Sequence, residues 1–362
     1  MATIQHAHAA AGGISEEPLR ARVLEALSPR RIGAVYIFAA LFLLFSLWVP
    51  STFLQWGTWK SLFATQSITA LCAVALTIPL AAGTFNLAVG TQVGIGSILS
   101  AWLLTHAHVS IPITVVLTLI GGAVIGWVTG ALIVRANIDS FIATLGLSSV
   151  LTALTSWICS DQSILNLGST YQELANNQLL GLTYPVWFML AVTLVSWYVL
   201  QRTRAGRRVY ATGGNPEAAR LAGVRTGITI VLSLVACGVI LAAAGVLVSS
   251  NLGTGDPTVG PAYLLPAFAA AFLGSTQFLP GRYNVWGSVF AVYLLGMGVT
   301  GLQLGGAPTW IPDLFNGMAL LLAVGVAKRQ DTLGRIRILD RLGRQRGAKR
   351  TDEASASVAR SG

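Results

Sequence analysis

Two side-chain amides sit in and beside an uncharged, glycine-bounded run. Residues 83–90 read Gly-Thr-Phe-Asn-Leu-Ala-Val-Gly, and Asn86 is followed shortly by Gln92. Each amide offers N–H donors and a carbonyl acceptor, which is the complement of a hydroxyl-rich solute. Gly83 and Gly90 permit backbone turns that other residues resist. Non-helical backbone at membrane depth survives only when buried in protein or lining a wet cavity. Transporters use such broken segments to aim free backbone groups at a substrate. The competing reading is a short turn outside the membrane, with Asn86 as a turn former. A second break runs from Gly274 through Gln277 and Pro280 to Gly281 and Arg282.

Covalent chemistry finds no footing in this chain. The only lysines are Lys60, Lys328 and Lys349, and none follows a Gly-x-x-x-x-Gly phosphate loop. His-Glu-x-x-His and Gly-x-Ser-x-Gly are also missing from the sequence. The expectation is therefore no enzyme, no catalytic residue and no ATP site of its own. His6, His8, His106 and His108 form two His-x-His pairs without a neighbouring Cys or carboxylate, so no metal is expected. Cys72, Cys159 and Cys237 have no ligand or disulfide spacing and read as packing residues. Asp313 is the main charge inside an apolar stretch, and its insertion cost of about 2.5–3.5 kcal/mol at a helix centre places it near an interface. A proton relay needs deeper, paired ionisable groups, which disfavours a proton-driven carrier.

The polar segment 202–226 carries six Arg and one Glu. Within it Asn215 is a good N-cap, Pro216 suits the first helical position and Glu217 the positive helix start. Ala218, Ala219, Arg220, Leu221 and Ala222 continue the helix, and Gly223 ends it. The spacing predicts a two-turn helix outside the membrane, with Ala218, Ala219, Leu221 and Ala222 as an apolar surface for another protein's groove.

The elements that position these residues follow from composition. The chain has 362 residues, 54% hydrophobic and only 10% charged, against about 25% charged in a soluble domain. A soluble fold cannot hide that much apolar surface. About 20 apolar residues cross a bilayer as a helix. Ten stretches qualify as spans: 33–50, 61–82, 91–107, 110–134, 140–158, 184–201, 227–249, 265–279, 284–303 and 309–327. With both ends on one side, that side receives four Lys or Arg in 1–32, Arg135, six in 202–226, Arg282 and ten in 328–362, leaving Lys60 alone opposite. Cytoplasmic segments favour Lys and Arg, so both termini are expected in the cytoplasm. The fold class is an all-α polytopic membrane protein of about ten spans, its Gly-broken helices surrounding a central pathway. Residues 1–32 form an N-terminal extension, 33–327 the membrane domain and 328–362 a basic tail. The positive-inside bias explains that tail without a nucleic-acid partner, and 335–342 has the pattern of an amphipathic surface helix facing anionic lipid. Gly122, Gly126 and Gly130 share one helix face, a pattern for close helix–helix packing.

The sequence resembles the permease subunit of ribose-type ABC importers over about residues 60–328. Four landmarks carry the likeness. They are Gly83 to Gly90; Asp139 to Gly146, following Gly130 to Arg135; Gly206 to Val224; and the series Gly274, Gly281, Gly287, Gly301. The resemblance implies a multi-pass protein of a bacterial inner membrane, paired with a second permease copy or a related one. It implies partner ATPase subunits that use ATP and Mg, an extracytoplasmic solute-binding protein, and a small polar solute, a monosaccharide or a relative of one. Residues Gly214, Asn215, Pro216, Glu217, Ala218, Ala219, Arg220 and Leu221 are the expected ATPase contact. Phe85, Asn86, Gln92 and Asn316 are the expected pathway residues, because aromatic faces stack on sugar C–H groups and amides bond hydroxyls. The chain departs from the family pattern at Asn86, where Asp is usual, at Ser275 for a second Gly, and across 280–284. The rival from another class is a stand-alone carrier or channel; a membrane-embedded enzyme ranks last.

Overall fold

The computed structural model describes residues 29–276 and 281–325, and within these the chain is almost wholly helical. The extension before residue 29, with His6 and His8, the segment 277–280 and the basic tail lie outside the described residues. In chain order the elements are α1 (Pro29–Trp48), α2 (Pro50–Phe53), α3 (Trp56–Ala81), α4 (Val89–Thr105), α5 (Ile111–Val134), α6 (Ser140–Cys159) and α7 (Ser169–Asn176). A hairpin β1 (Gln178–Leu179) and β2 (Leu182–Thr183) follows. Then come α8 (Tyr184–Arg202), α9 (Arg204–Gly214), α10 (Pro216–Leu221), α11 (Thr226–Leu252), α12 (Pro261–Thr276), α13 (Val285–Leu304) and α14 (Ile311–Gly325).

Six helices, α3, α5, α6, α8, α11 and α13, are long and apolar enough to cross a bilayer. The described part of α1, with α4, α12 and α14, forms shorter apolar helices at places where the sequence also predicts spans. α3 lies at the centre. It is apolar on all sides, as expected of a helix enclosed by others, and every residue from Ser67 to Ala81 is buried. α5 and α6 instead turn Ile113, Val116, Ile120, Phe141, Ile142 and Trp157 outward, which in water would be an aggregation hazard and in lipid is a solvated face.

Local signals set the element ends. Asp139 caps α6 by accepting the Phe141 N–H at 2.9 Å, and Gly253 closes α11 with φ +69°. In the hairpin, Gln178 pairs with Thr183 and Leu179 with Leu182. Its two turn residues, Leu180 and Gly181, both take positive φ, the geometry that matches strand twist in a two-residue loop.

The seam of Gly122, Gly126 and Gly130 faces α11. A Cβ added at Gly122 would meet the Gly238 carbonyl and Ala242, one at Gly126 the Leu234 carbonyl, and one at Gly130 would lie 2.8 Å from the Val231 Cα. The glycines thus pack backbone to backbone inside the chain. At the opposite end, a buried polar knot ties α7 down. The Tyr171 hydroxyl lies 2.7 Å from Ser249 Oγ and 3.1 Å from both Ser100 Oγ and the Val246 carbonyl, while Ser250 Oγ donates to the Tyr171 carbonyl at 2.7 Å. Burial raises the Tyr171 pKa, and its bonds to Ser100 and Ser249 partly offset the rise.

Candidate functional site

α3 ends with Pro79 in its last turn, and the chain then leaves the helix until α4 begins. α4 has 17 residues, about 25 Å at helical rise, which falls short of a hydrocarbon core of about 30 Å. The break lies deep in the protein. Asn86 is fully buried, and its amide reaches Cys237, which is about 16 Å along α11 from its start at Thr226. An exposed turn at the helix ends does not reach that depth.

Buried backbone groups need partners, and the break finds them locally. The Thr84 N–H donates to the Pro79 carbonyl, Phe85 N–H to Ser140 Oγ at 3.3 Å and Leu87 N–H to Thr144 Oγ1 at 3.1 Å. Asn86 Oδ1 accepts from the Ala88 N–H at 3.1 Å, which fixes the orientation of the amide. Asn86 Nδ2 then donates to Gln92 Oε1 at 3.3 Å and to Cys237 Sγ at 3.4 Å. With its carbonyl so engaged, Gln92 is left with a buried Nε2 that has no protein partner. Gln92 is 3% exposed, so this amide N–H is a buried donor whose chemistry complements a hydroxyl. Phe85 lies next to Asn86 in sequence and is 40% exposed.

Asn316 is not in this group. It lines a separate cavity of about 140 Å³ with Gln66, Thr69, Pro266 and Gly296, between α3, α12, α13 and α14. The four pathway expectations therefore fall in two places. Nothing in the sequence singles out Gln66 and Thr69, since a lone Gln or Thr in an apolar helix carries no periodic signal.

The segment 202–226 folds as two helices. The expected helix is α10: Asn215 Oδ1 accepts the Ala218 N–H at 3.0 Å, Pro216 starts it, and Gly223 follows with φ +85°. Its apolar residues do not form one outer face. Ala219 is 6% exposed and turned into the protein, whereas Leu221 is 89% exposed. A helix of six residues turns neighbouring positions to different sides; Ala219 is the inward one, and Pro216, Glu217, Ala218, Arg220 and Leu221 are exposed.

The sequence predicts no helix at α9, because its Arg residues and Gly206, Gly213 and Gly214 mask it. Its last turn meets the first break. A Cβ at Gly213 would strike the Ala81 carbonyl and lie 3.0 Å from Gly83 N; one at Gly83, where φ is +81°, would lie 3.1 Å from Gly213 Cα. Its middle meets the second break. The Tyr210 hydroxyl donates to the Tyr283 carbonyl at 2.7 Å, and the Arg282 guanidinium stands 4.5 Å from the Tyr210 ring centroid. Burial raises the Tyr210 pKa, and the charge of Arg282 partly offsets this. Beyond the second break, Asn284 caps α13 by accepting the Trp286 N–H, and Thr77 of α3 pairs with Ser288 of α13 at 2.9 Å. One short helix thus contacts both glycine breaks and leads directly into α10.

An apolar helical bundle with interior breaks and a capped external helix is the architecture of a membrane permease. The family described as branched-chain amino acid transport system, permease component, matches residues 58–324, and this chain belongs to it. The ribose import permease protein of Escherichia coli (strain K12) is 31% identical over 269 residues, which cover 73% of this chain and 83% of that one. The L-arabinose ABC transporter permease protein of Azospirillum brasilense is 30% identical, covering 81% and 86%. An autoinducer 2 import system permease protein of Yersinia enterocolitica is 30% identical, covering 73% and 82%. No solved structure matches the chain.

Proposed function

We propose that this chain is the membrane subunit of an ATP-driven importer of a monosaccharide or a similarly hydroxylated solute, working in a bacterial inner membrane. The solute arrives on an extracytoplasmic binding protein and passes between two permease copies or related subunits. Both termini are cytoplasmic and about ten helices span the bilayer. The chain performs no covalent step; partner ATPases hydrolyse ATP with Mg. α10, with Gly214, Asn215, Pro216, Glu217, Ala218, Arg220 and Leu221, sits against an ATPase, while Ala219 anchors it from the inner side. Phe85, Asn86 and Gln92 serve the inner part of the pathway, Asn316 with Gln66 and Thr69 the outer part.

The observation that carries this reading is the contact of α9 with both breaks. Movement imposed on α10 passes along α9 to Gly83 at its last turn and to Tyr283 at its middle. Packed backbone is stiff, so displacement at these contacts reaches the segment that holds Asn86 and Gln92. The sugar class rests on the imported solutes named for the relatives and on the unpaired Gln92 amide, which suits a hydroxyl.

The test is reconstitution in liposomes with and without the ATPase and binding protein, following labelled ribose and arabinose. Uptake should require all components and ATP. Uphill transport by the chain alone overturns the reading in favour of a stand-alone carrier.

A further inference from the structure

Between α5 and α11 runs a groove of about 750 Å³ that shares only Arg220 with the proposed ATPase contact. Its walls include Trp127, Ile228 and Leu232, all substantially exposed on the outer surface of the bundle. At one end stand Arg135, Arg220 and Arg225. They come from three different elements: Arg135 is the C-cap of α5, Arg220 lies in the last turn of α10, and Arg225 is the N-cap of α11. No carboxylate lines the groove. We infer that this groove is a binding site for an anionic phospholipid, its phosphate held by Arg135, Arg220 and Arg225 and its acyl chain laid along Trp127, Ile228 and Leu232.

The chemistry selects that occupant over others. A guanidinium forms paired, charge-assisted bonds to phosphate oxygens. The Thr226 N–H is already bonded to the Val224 carbonyl, but Gly227 in the first turn of α11 lines the same groove, where the leading N–H groups of a helix have no intrahelical acceptor. A free inorganic anion would use this end but leave the apolar walls uncovered. A zwitterionic lipid would cover the walls but bring its own cation beside three arginines. Basic pockets between membrane helices on the cytoplasmic side suit anionic headgroups. Trp127 lies two turns up α5 from Arg135, about 12 Å at helical rise, so an acyl chain descending from the phosphate reaches its ring. The joint between α10 and α11 is Gly223, also in the groove wall, with φ +85°. A phosphate shared by Arg220 and Arg225 straddles that joint.

The experiment uses the full-length chain, purified and washed free of bound lipid, then offered phosphatidylglycerol or phosphatidylcholine in measured competition. Retained lipid is read by native mass spectrometry. Wild type should retain phosphatidylglycerol in clear preference. Each arginine near an anionic surface is worth about fivefold in affinity, so R135Q/R220Q/R225Q should lose on the order of a hundredfold for phosphatidylglycerol and nothing for phosphatidylcholine. The matching triple Lys variant should keep most of the preference. I228W, which fills the groove without touching the charges, should lower retention, and decides the matter if the Gln variant does not fold. Equal retention of the two lipids by wild type, or undiminished phosphatidylglycerol on either the triple Gln variant or I228W, overturns the proposal. Unchanged lipid retention with lost binding of an ATPase subunit would instead assign the arginines to a protein interface.

Discussion

Gly213 and Gly214 are neighbours in the last turn of α9, yet replacing them with Ala should act in opposite directions. At Gly213 the new Cβ meets only backbone: the Ala81 carbonyl, with Ala81 C and Gly83 N both at 3.0 Å. No side chain can rotate away, so α9 and the first break must separate. Overpacking of this kind costs about 1–3 kcal/mol, and the better helix propensity of Ala returns up to about 1 kcal/mol. Contact with main chain alone puts the cost in the upper part of that range, so the expected net loss is roughly 1–2 kcal/mol. At Gly214 nothing lies within 4 Å of the added Cβ, so only the propensity gain applies and the chain should be as stable or slightly more stable. Thermal unfolding of the two variants in detergent, followed by size-exclusion recovery, measures the difference. ATP-coupled uptake measures the consequence for transport, which should fall in Gly213→Ala because the contact between α9 and the Asn86 segment is displaced. A Gly213→Ala protein with wild-type stability and uptake would refute the argument that this backbone contact is tight and transmits motion.

Three further outcomes follow from individual polar side chains. Asn215→Ala removes the cap of α10 and should cost about 1 kcal/mol of local helix stability, read as faster amide exchange across 216–221 and weaker binding of the ATPase. Tyr210→Phe deletes the bond to the Tyr283 carbonyl while keeping the ring under Arg282, so the loss should be about 1 kcal/mol, with uptake reduced and membrane insertion unchanged. Tyr171→Phe leaves the hydroxyls of Ser100 and Ser249 to each other and the Val246 carbonyl to fewer donors. It should lower thermal stability by about 1–2 kcal/mol, with protease sensitivity appearing first in 160–183.

Much of this architecture is legible in the sequence because single residues dictate it. Asn215, Pro216 and Gly223 specify α10 almost alone, through a cap, a pre-set φ and a left-handed stop. Runs of apolar residues locate the long helices within a few positions, and Gly122, Gly126 and Gly130 announce a close crossing, though not that α11 is the partner. What escaped depends on contacts distant in sequence. α9 hides because Gly213 looks like a helix breaker until Ala81 and Gly83 are seen to need its missing Cβ. The Asn86 amide is oriented by the Ala88 N–H, but its depth is set by Cys237, 151 residues away. Asn316 looked like a companion to Asn86 on residue type alone, and its cavity with Gln66 and Thr69 is formed by helices whose sequence order says nothing of their adjacency.

The glycine seam between α5 and α11 restricts how the molecule can move. Because Gly122, Gly126 and Gly130 meet main chain and the short, stiff side chains of Ala242 and Val231, sliding either helix by one position would drive a bulkier residue into atoms that cannot move aside. The pair therefore acts as a keel, free to tilt as a unit but not to slip internally. In the proposed transport cycle, access would alternate by rocking this keel against its surroundings, with the flexing at the glycine elbows that α9 contacts.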